Sequence, residues 1–170
     1  MKNWNSSQLQ LDNYFLTEIS VKANRLHDPT KEVNLRMSDI DITPVFLPHK
    51  DDNRKCQVTL RVQQELGTES NTPYYFTVEM VGFFTVQKTY PDKTVEWLVR
   101  TNGPSVLYSM VREILRSATA QGPFCPLMLP TVSFYTPETK MMLDQTKKAK
   151  ELKAIDKIIG EAVQVDSDKK

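Results

Sequence analysis

The chain has 170 residues, enough for one domain with its own apolar core. Its 22 basic and 21 acidic residues leave a formal charge of +1, so there is no electrostatic footprint for nucleic acid. No apolar run approaches the ~20 residues of a membrane span, and the first ten residues lack a hydrophobic signal core.

The expected elements follow in chain order. Residues 1–8 are polar and expected to fray. The alternation over residues 9–23 predicts a strand with Phe15, Thr17, Ile19, Val21 and Ala23 on one face. Tyr14, Leu16, Glu18, Ser20 and Lys22 share the other. Residues 24–31 contain His-Asp-Pro and read as a crossover loop. Val33, Leu35 and Met37 then alternate with polar residues, but Ile40 and Ile42 fall on the opposite phase. Either a bulge near Ser38 and Asp39 absorbs one residue, or the strand ends there. Residues 44–53 read as a loop.

The cleanest strand comes next, with Cys56, Val58, Leu60 and Val62 facing inward. After a turn over residues 67–73, a strand over 74–86 places Tyr74, Phe76, Val78, Met80, Gly82, Phe84 and Val86 on one face. This strand is apolar on both faces around Val81 to Phe84. It is therefore a doubly covered central strand, or one of its faces serves as a groove or subunit contact.

Residues 102–134 organise the rest of the chain. Asn102 can cap a helix, and Pro104 suits a first helical turn, where its missing N–H has no partner to lose. Val106, Leu107, Met110, Val111, Ile114, Leu115 and Ala118 then form two adjoining apolar stripes, wider than a surface helix needs. Gln121-Gly122-Pro123 stops the helix. Residues 124–134 form a loop too apolar for solvent and too rich in proline for a central strand. Thr136-Pro137-Glu138 starts a second helix, with a stripe of Leu152, Ile155, Ile159 and Ala162. The expected organisation is one domain over residues 1–165 and a charged tail over 166–170.

No catalytic constellation can be written. His27 and His49 stand in loops without ligand-spaced partners, so no metal site is expected. Five glycines form no phosphate-binding loop, so neither ATP nor any other cofactor is expected, and the chain does not read as an enzyme. Arg112 and Glu113, adjacent on the helix, read as buried or interfacial ion-pair partners. Cys56 and Cys125 point to two reduced, buried thiols in a cytosolic protein.

The surplus is apolar instead. Tyr74, Phe76, Phe83, Phe124, Leu127, Met128, Leu129, Phe134, Tyr135, Met141 and Met142 cluster in and around the elements flanking the long helix. They read either as core or as a surface for other chains' apolar segments, to which flexible methionine is well suited.

The run Pro104, Val106, Leu107, Tyr108, Arg112 and Glu113, followed by Gly122, Phe124, Pro126, Leu127, Leu129 and Phe134, resembles the signature of the SecB export chaperones. The departures are Cys125 before Pro126, and Pro130 one place early. Val81-Gly82-Phe83-Phe84 is similar to the family's Gly-Phe motif on the last strand. The resemblance implies an α+β fold: a four-stranded antiparallel sheet packed by one long helix, plus a second C-terminal helix. It also implies a homotetramer, a dimer of dimers, with Val106, Met110 and Ile114 at an interface between subunits.

By function the resemblance implies an ATP-independent chaperone. It would bind unfolded preproteins through apolar grooves and keep them unfolded for export or delivery. SecB-like proteins also serve as chaperones of antitoxins in toxin–antitoxin systems, which is the alternative client. An oligomeric adaptor with no client binding is the alternative of another class. In the family the translocation motor SecA docks on acidic sheet positions and on the tail. The first of these corresponds to Glu18, whereas the others fall on Lys22 and Thr77, and residues 166–170 do not resemble the motor-binding tail. Weak SecA binding or none is therefore expected.

Overall fold

Strong alternation of apolar residues produces four strands and one antiparallel sheet. In chain order they are β1 (Leu9–Ala23), β2 (Ile40–Pro48), β3 (Lys55–Gln64) and β4 (Tyr74–Val86). Their order in the sheet is β1-β4-β3-β2, so β1 crosses over to pair with the last strand and β1 and β2 form the edges. The structure, a computed structural model, describes residues 7–33, 35–64 and 71–135. The chain divides at Phe134 into two units, Met1–Phe134 and Tyr135–Lys170, and apart from Tyr135 the described residues belong to the first. The expected second helix, with Met141 and Met142, and the tail lie outside the described residues.

The even-numbered residues of β4 and those of β3 from Val58 onward are buried under one face. Helix α1 (Val95–Thr119) lies on that face and packs against β4, β3 and β1. Its inner stripe is Leu98, Leu107, Val111 and Leu115, each at most 2% exposed. Burial of each such side chain stabilises the fold by roughly 1.5–3 kcal/mol. Two glycines let the layers close. A Cβ on Gly82 would stand 2.9 Å from Leu107 Cδ2, and one on Gly103 would stand 3.1 Å from Val58 Cγ2.

Three expectations need correction. First, the helix begins at Val95, and Pro104 lies inside it rather than in its first turn. The residue before a proline normally resists the helical region because its Cβ clashes with the ring. Here that residue is Gly103, which has no Cβ, so the helix runs through. Val95, Leu98 and Val99 supply the buried spacing that extends it backwards.

Second, the faces of β1 are not constant along its length. Register shifts fall between Leu11 and Asn13 and between Leu16 and Glu18. Phe15 pairs with Val81 on the side away from α1, while Ile19 and Val21 pair with Val78 and Phe76 on the helix side. Each extra residue flips the parity, so the two expected faces exchange midway. Third, residues 44–48 are strand and not loop, with Pro44 opposite Leu60 and Pro48 opposite Cys56. Proline is tolerated there because β2 is an edge. The alternating Val33, Leu35 and Met37 are not in a strand: β2 begins only at Ile40, after a short 3-10 turn, Met37–Asp39, in which Asp39 accepts the Arg36 backbone N–H at 3.1 Å.

Candidate client-binding surface

The chain leaving α1 returns along the helix and is held by side chains. Tyr108 donates its hydroxyl to Pro130 O at 2.9 Å, and Arg112 Nε donates to Leu129 O at 3.0 Å. At the end of the helix the Leu127 N–H donates to Thr119 Oγ1 at 2.8 Å. The Tyr74 hydroxyl accepts from Phe124 N at 3.0 Å and lies 3.1 Å from the carbonyls of both Thr119 and Phe124. Burial pushes the Tyr108 phenol above its ordinary value, with Arg112 opposing, so it remains a donor. Arg112 and Glu113 are not partners: Glu113 pairs with Arg116 at 2.7 Å instead.

This arrangement sorts the sequence-selected residues. Tyr74, Phe76, Leu127 and Leu129 are within the core, each no more than 3% exposed. Phe124 and Phe134 are half-buried, with Phe124 edge-on to Tyr74 and to His27, and Phe134 edge-on to Tyr108. Met128 points outward at 59% exposure, and Tyr135 is exposed. Phe83 lies on the opposite side of the sheet, edge-on to Phe15 at 6.0 Å between centroids. On α1, Val106 is exposed while Met110 and Ile114 are half-buried against the core.

A second apolar strip lies on the helix side at the β1 margin, where Tyr14, Leu16 and Ile19 are exposed. Sequence reasoning divided these residues between two faces. The bulge between Leu16 and Glu18 brings them to one side, and strand alternation alone gives no sign of it.

The far side of the sheet carries the position compared with motor docking. Glu18 is opposite Glu79, and Lys22 is opposite Tyr75 one step beyond the Ser20–Thr77 pair, so Glu18, Lys22 and Thr77 share one patch. Arg61 holds Glu18 at 2.7 Å and Glu79 at 3.3 Å. Among the described residues no group of three or more His, Cys, Asp or Glu side chains can hold a metal. His27 Nδ1 lies 3.1 Å from Asn71 Oδ1, and His49 Nδ1 accepts the Asp51 N–H at 3.2 Å. Burial raises the Cys56 thiol above its ordinary pKa, which makes it less reactive, whereas Cys125 is exposed and not buried as expected. No helix among the described residues is long and apolar enough to cross a membrane.

Residues 2–139 match the family described as preprotein translocase subunit SecB. The chain belongs to the SecB family. The protein-export protein SecB of Ehrlichia ruminantium (strain Gardel) is 25% identical over 123 residues, which are 63% of this chain and 69% of the relative. SecB of Ehrlichia canis (strain Jake) is 31% identical over 126 residues, covering 68% of this chain and 66% of the relative. Among solved structures, a SecB-like chaperone of Mycobacterium tuberculosis in complex with a ChAD peptide from the HigA1 antitoxin matches with a TM-score of 0.56. The identity is 15%, over 74% of this chain and 91% of that one. That likeness bears out the SecB-like α+β fold, a four-stranded antiparallel sheet under one long helix. SecB is a family of chaperones and not an enzyme class.

Proposed function

We propose that this chain is a chaperone that holds non-native polypeptide segments against apolar side chains, without nucleotide. The observation that carries the reading is the outward Met128, 59% exposed on a segment otherwise fastened to α1, in a chain of the SecB family. Half-buried Phe124 and Phe134 flank it, and Tyr14, Leu16 and Ile19 add an apolar strip on the same side of the sheet. Each client side chain buried there contributes roughly 1.5–3 kcal/mol, offset by ordering costs, so single contacts are weak. A homotetramer assembled through the Val106, Met110 and Ile114 stripe multiplies the contacts by effective concentration. Folded proteins have already buried the side chains that would compete. This mode of action suits a cytoplasmic protein with no cofactor.

A slow-folding client should refold more slowly with the chain in excess, and added ATP should change nothing. Met128→Ser combined with Met142→Ser should weaken capture and leave the assembly intact. Unchanged refolding at several-fold excess overturns the chaperone reading. It leaves the adaptor, whose assembled form would also bind no apolar dye.

For the client, the far face of the sheet favours delivery other than export. Lys22, Thr77 and the Glu18–Arg61 pair stand where an acidic motor-docking surface would be needed. A chaperone of an antitoxin, like the Mycobacterium tuberculosis protein with its ChAD peptide, needs no such surface. Capture from lysate of the source organism, with the bound chains identified, separates preproteins from an antitoxin.

A further inference from the structure

β2 is an edge of the sheet, and its side chains are of the kind that pair readily with another strand. Residues 42–48 carry no charge and include Ile42, Val45, Phe46 and Leu47. Val45 is 56% exposed and Leu47 61%, and beyond Ile40 no residue of the strand is buried. An apolar, uncharged edge of this length is a template on which another chain can add a strand.

The backbone of this edge is interrupted, and the ladder shows where. His49 N donates to Lys55 O at 2.9 Å, while Val86 N donates to Arg54 O at 2.9 Å. Lys55 therefore turns its backbone toward β2, and Arg54 turns its own toward β4. Bonding direction alternates along a strand, so Gln57, Thr59 and Arg61 also face β2 and bond Leu47, Val45 and Thr43. Ile40, Ile42, Pro44, Phe46 and Pro48 then point their backbone outward. The Ile40 N–H is taken by Met37 O in the preceding turn, and proline has no N–H. Only Ile42 and Phe46 are left to donate, so no two successive outward positions of β2 both offer a donor. Arg100 of α1 stands 4.9 Å from the centre of the Phe46 ring and is held by Glu96 at 2.8 Å, which sets a charge beside the residue between the prolines. β1, the other edge, is 15 residues long and contains no proline.

We infer that β2 is a closed edge: Pro44 and Pro48 withhold alternate donors, so neither an extended segment of another protein nor β1 of a second copy continues the sheet there. With both edges open, β1 of one copy could pair with β2 of the next, and a head-to-tail contact of that kind runs on without closing. Closing one edge removes this route, whatever β1 meets. The inference does not depend on client capture.

The test is to open the edge. Threonine suits a strand and restores the N–H, and thermal melts check that Pro44→Thr, Pro48→Thr and the double variant fold. In sedimentation of the full chain, the double variant should grow with concentration into assemblies at least about tenfold heavier than the wild type, because strand addition no longer closes. Pro44→Thr alone should do most of this, since it joins the donors at positions 42, 44 and 46 into one run. Pro48→Thr lengthens only the end. Hydrogen exchange locates the contact: in the assemblies the Phe46 N–H should exchange at least about tenfold more slowly than in the wild type. A second measurement needs no variant. In the wild type the Val45 N–H, bonded to β3, should exchange at least about tenfold more slowly than the outward Phe46 N–H. Equal protection of the two overturns the inference, because a partner then already bonds that edge. A folded double variant that keeps the wild-type mass up to about 100 μM, a concentration at which micromolar contacts are formed, also overturns it. So does growth that leaves the Phe46 N–H as fast as before, since the sheet is then not extending through β2.

Discussion

Arg61 of β3 reaches across β4 to Glu18 of β1, a 2.7 Å charged hydrogen bond between strands that are not neighbours. Its hydrogen bond to Glu18 is the main reason the guanidinium pKa is raised, and Glu79 adds to it. Glu79 in turn accepts from Thr17 at 2.9 Å. The acid compared with motor docking is thus already engaged within its own sheet.

From this we expect the unmodified chain to bind SecA weakly or not at all. Lys22→Glu with Thr77→Glu should raise the affinity at least about tenfold, and salt should reverse the gain. Calorimetry at low and moderate salt reads both effects. Tight binding by the unmodified protein would show that docking uses another surface.

The outer stripe of α1 makes a different prediction for each residue. Val106 is 38% exposed, so Val106→Asp should split the proposed tetramer with little change in melting temperature. Met110 is half-buried against the core, so Met110→Asp should also lower stability, because it sets an unpaired charge among apolar groups. Light scattering after size exclusion, with thermal melts, distinguishes the two. A stable monomer of the unmodified chain at micromolar concentration rules the tetramer out.

Gly82→Ala should destabilise the fold by about 1–3 kcal/mol, since its methyl would meet Phe84 at 2.8 Å and Leu107 at 2.9 Å. The melting temperature should fall by several degrees. Leu107→Ala is itself destabilising, but the double variant should lose less than the sum of the two single losses, because one of the two clashes is removed. An unchanged melt for Gly82→Ala would mean that the helix stands farther from β4.

Acid should uncouple one helix pair. Arg116, through its side-chain hydrogen bonds, holds the Glu113 carboxyl down to about 2 from an ordinary 4.5, with Ser117 contributing. A carboxyl whose pKa is depressed in the fold contributes stability above its unfolded value, and that contribution is lost as pH falls through the folded one. The melting temperature of the wild type should therefore exceed that of Glu113→Gln at pH 6. The difference should close between about pH 4.5 and pH 2, and it will be small because the pair is exposed.

Much of the fold could be read from the sequence because β1, β3 and β4 carry clear alternation, and the ends of β1 and β4 came out as expected. Where the reading failed, one residue carried two meanings. Pro104 signals a helix start in isolation, and only Gly103 before it and Val95, Leu98 and Val99 upstream reveal a helix interior. Pro44 argues against a strand unless the strand is an edge, and edges are a property of sheet order that no local window contains. The β1 bulges are hidden for a similar reason, since an extra residue is visible only against its partner strand. The apolar loop after α1 was legible as special. Which of its residues face outward depended on Tyr108 and Arg112 gripping its backbone, a detail set by the third dimension.

The crossover that makes β1 the neighbour of β4 also sets a timetable. β2, β3 and β4 can form hairpins as they emerge, but Ala23 must wait for Tyr74, and Leu9 for Val86. At ~5–20 residues per second, about fifty residues of synthesis hold β1 without its partner for roughly 3–10 seconds. Such long-range pairings also close slowly once the chain is complete. During that interval Tyr14, Phe15, Leu16 and Ile19 are an unpaired apolar strand in water. If the chain holds clients as proposed, a newborn copy is then itself a suitable client for the finished ones.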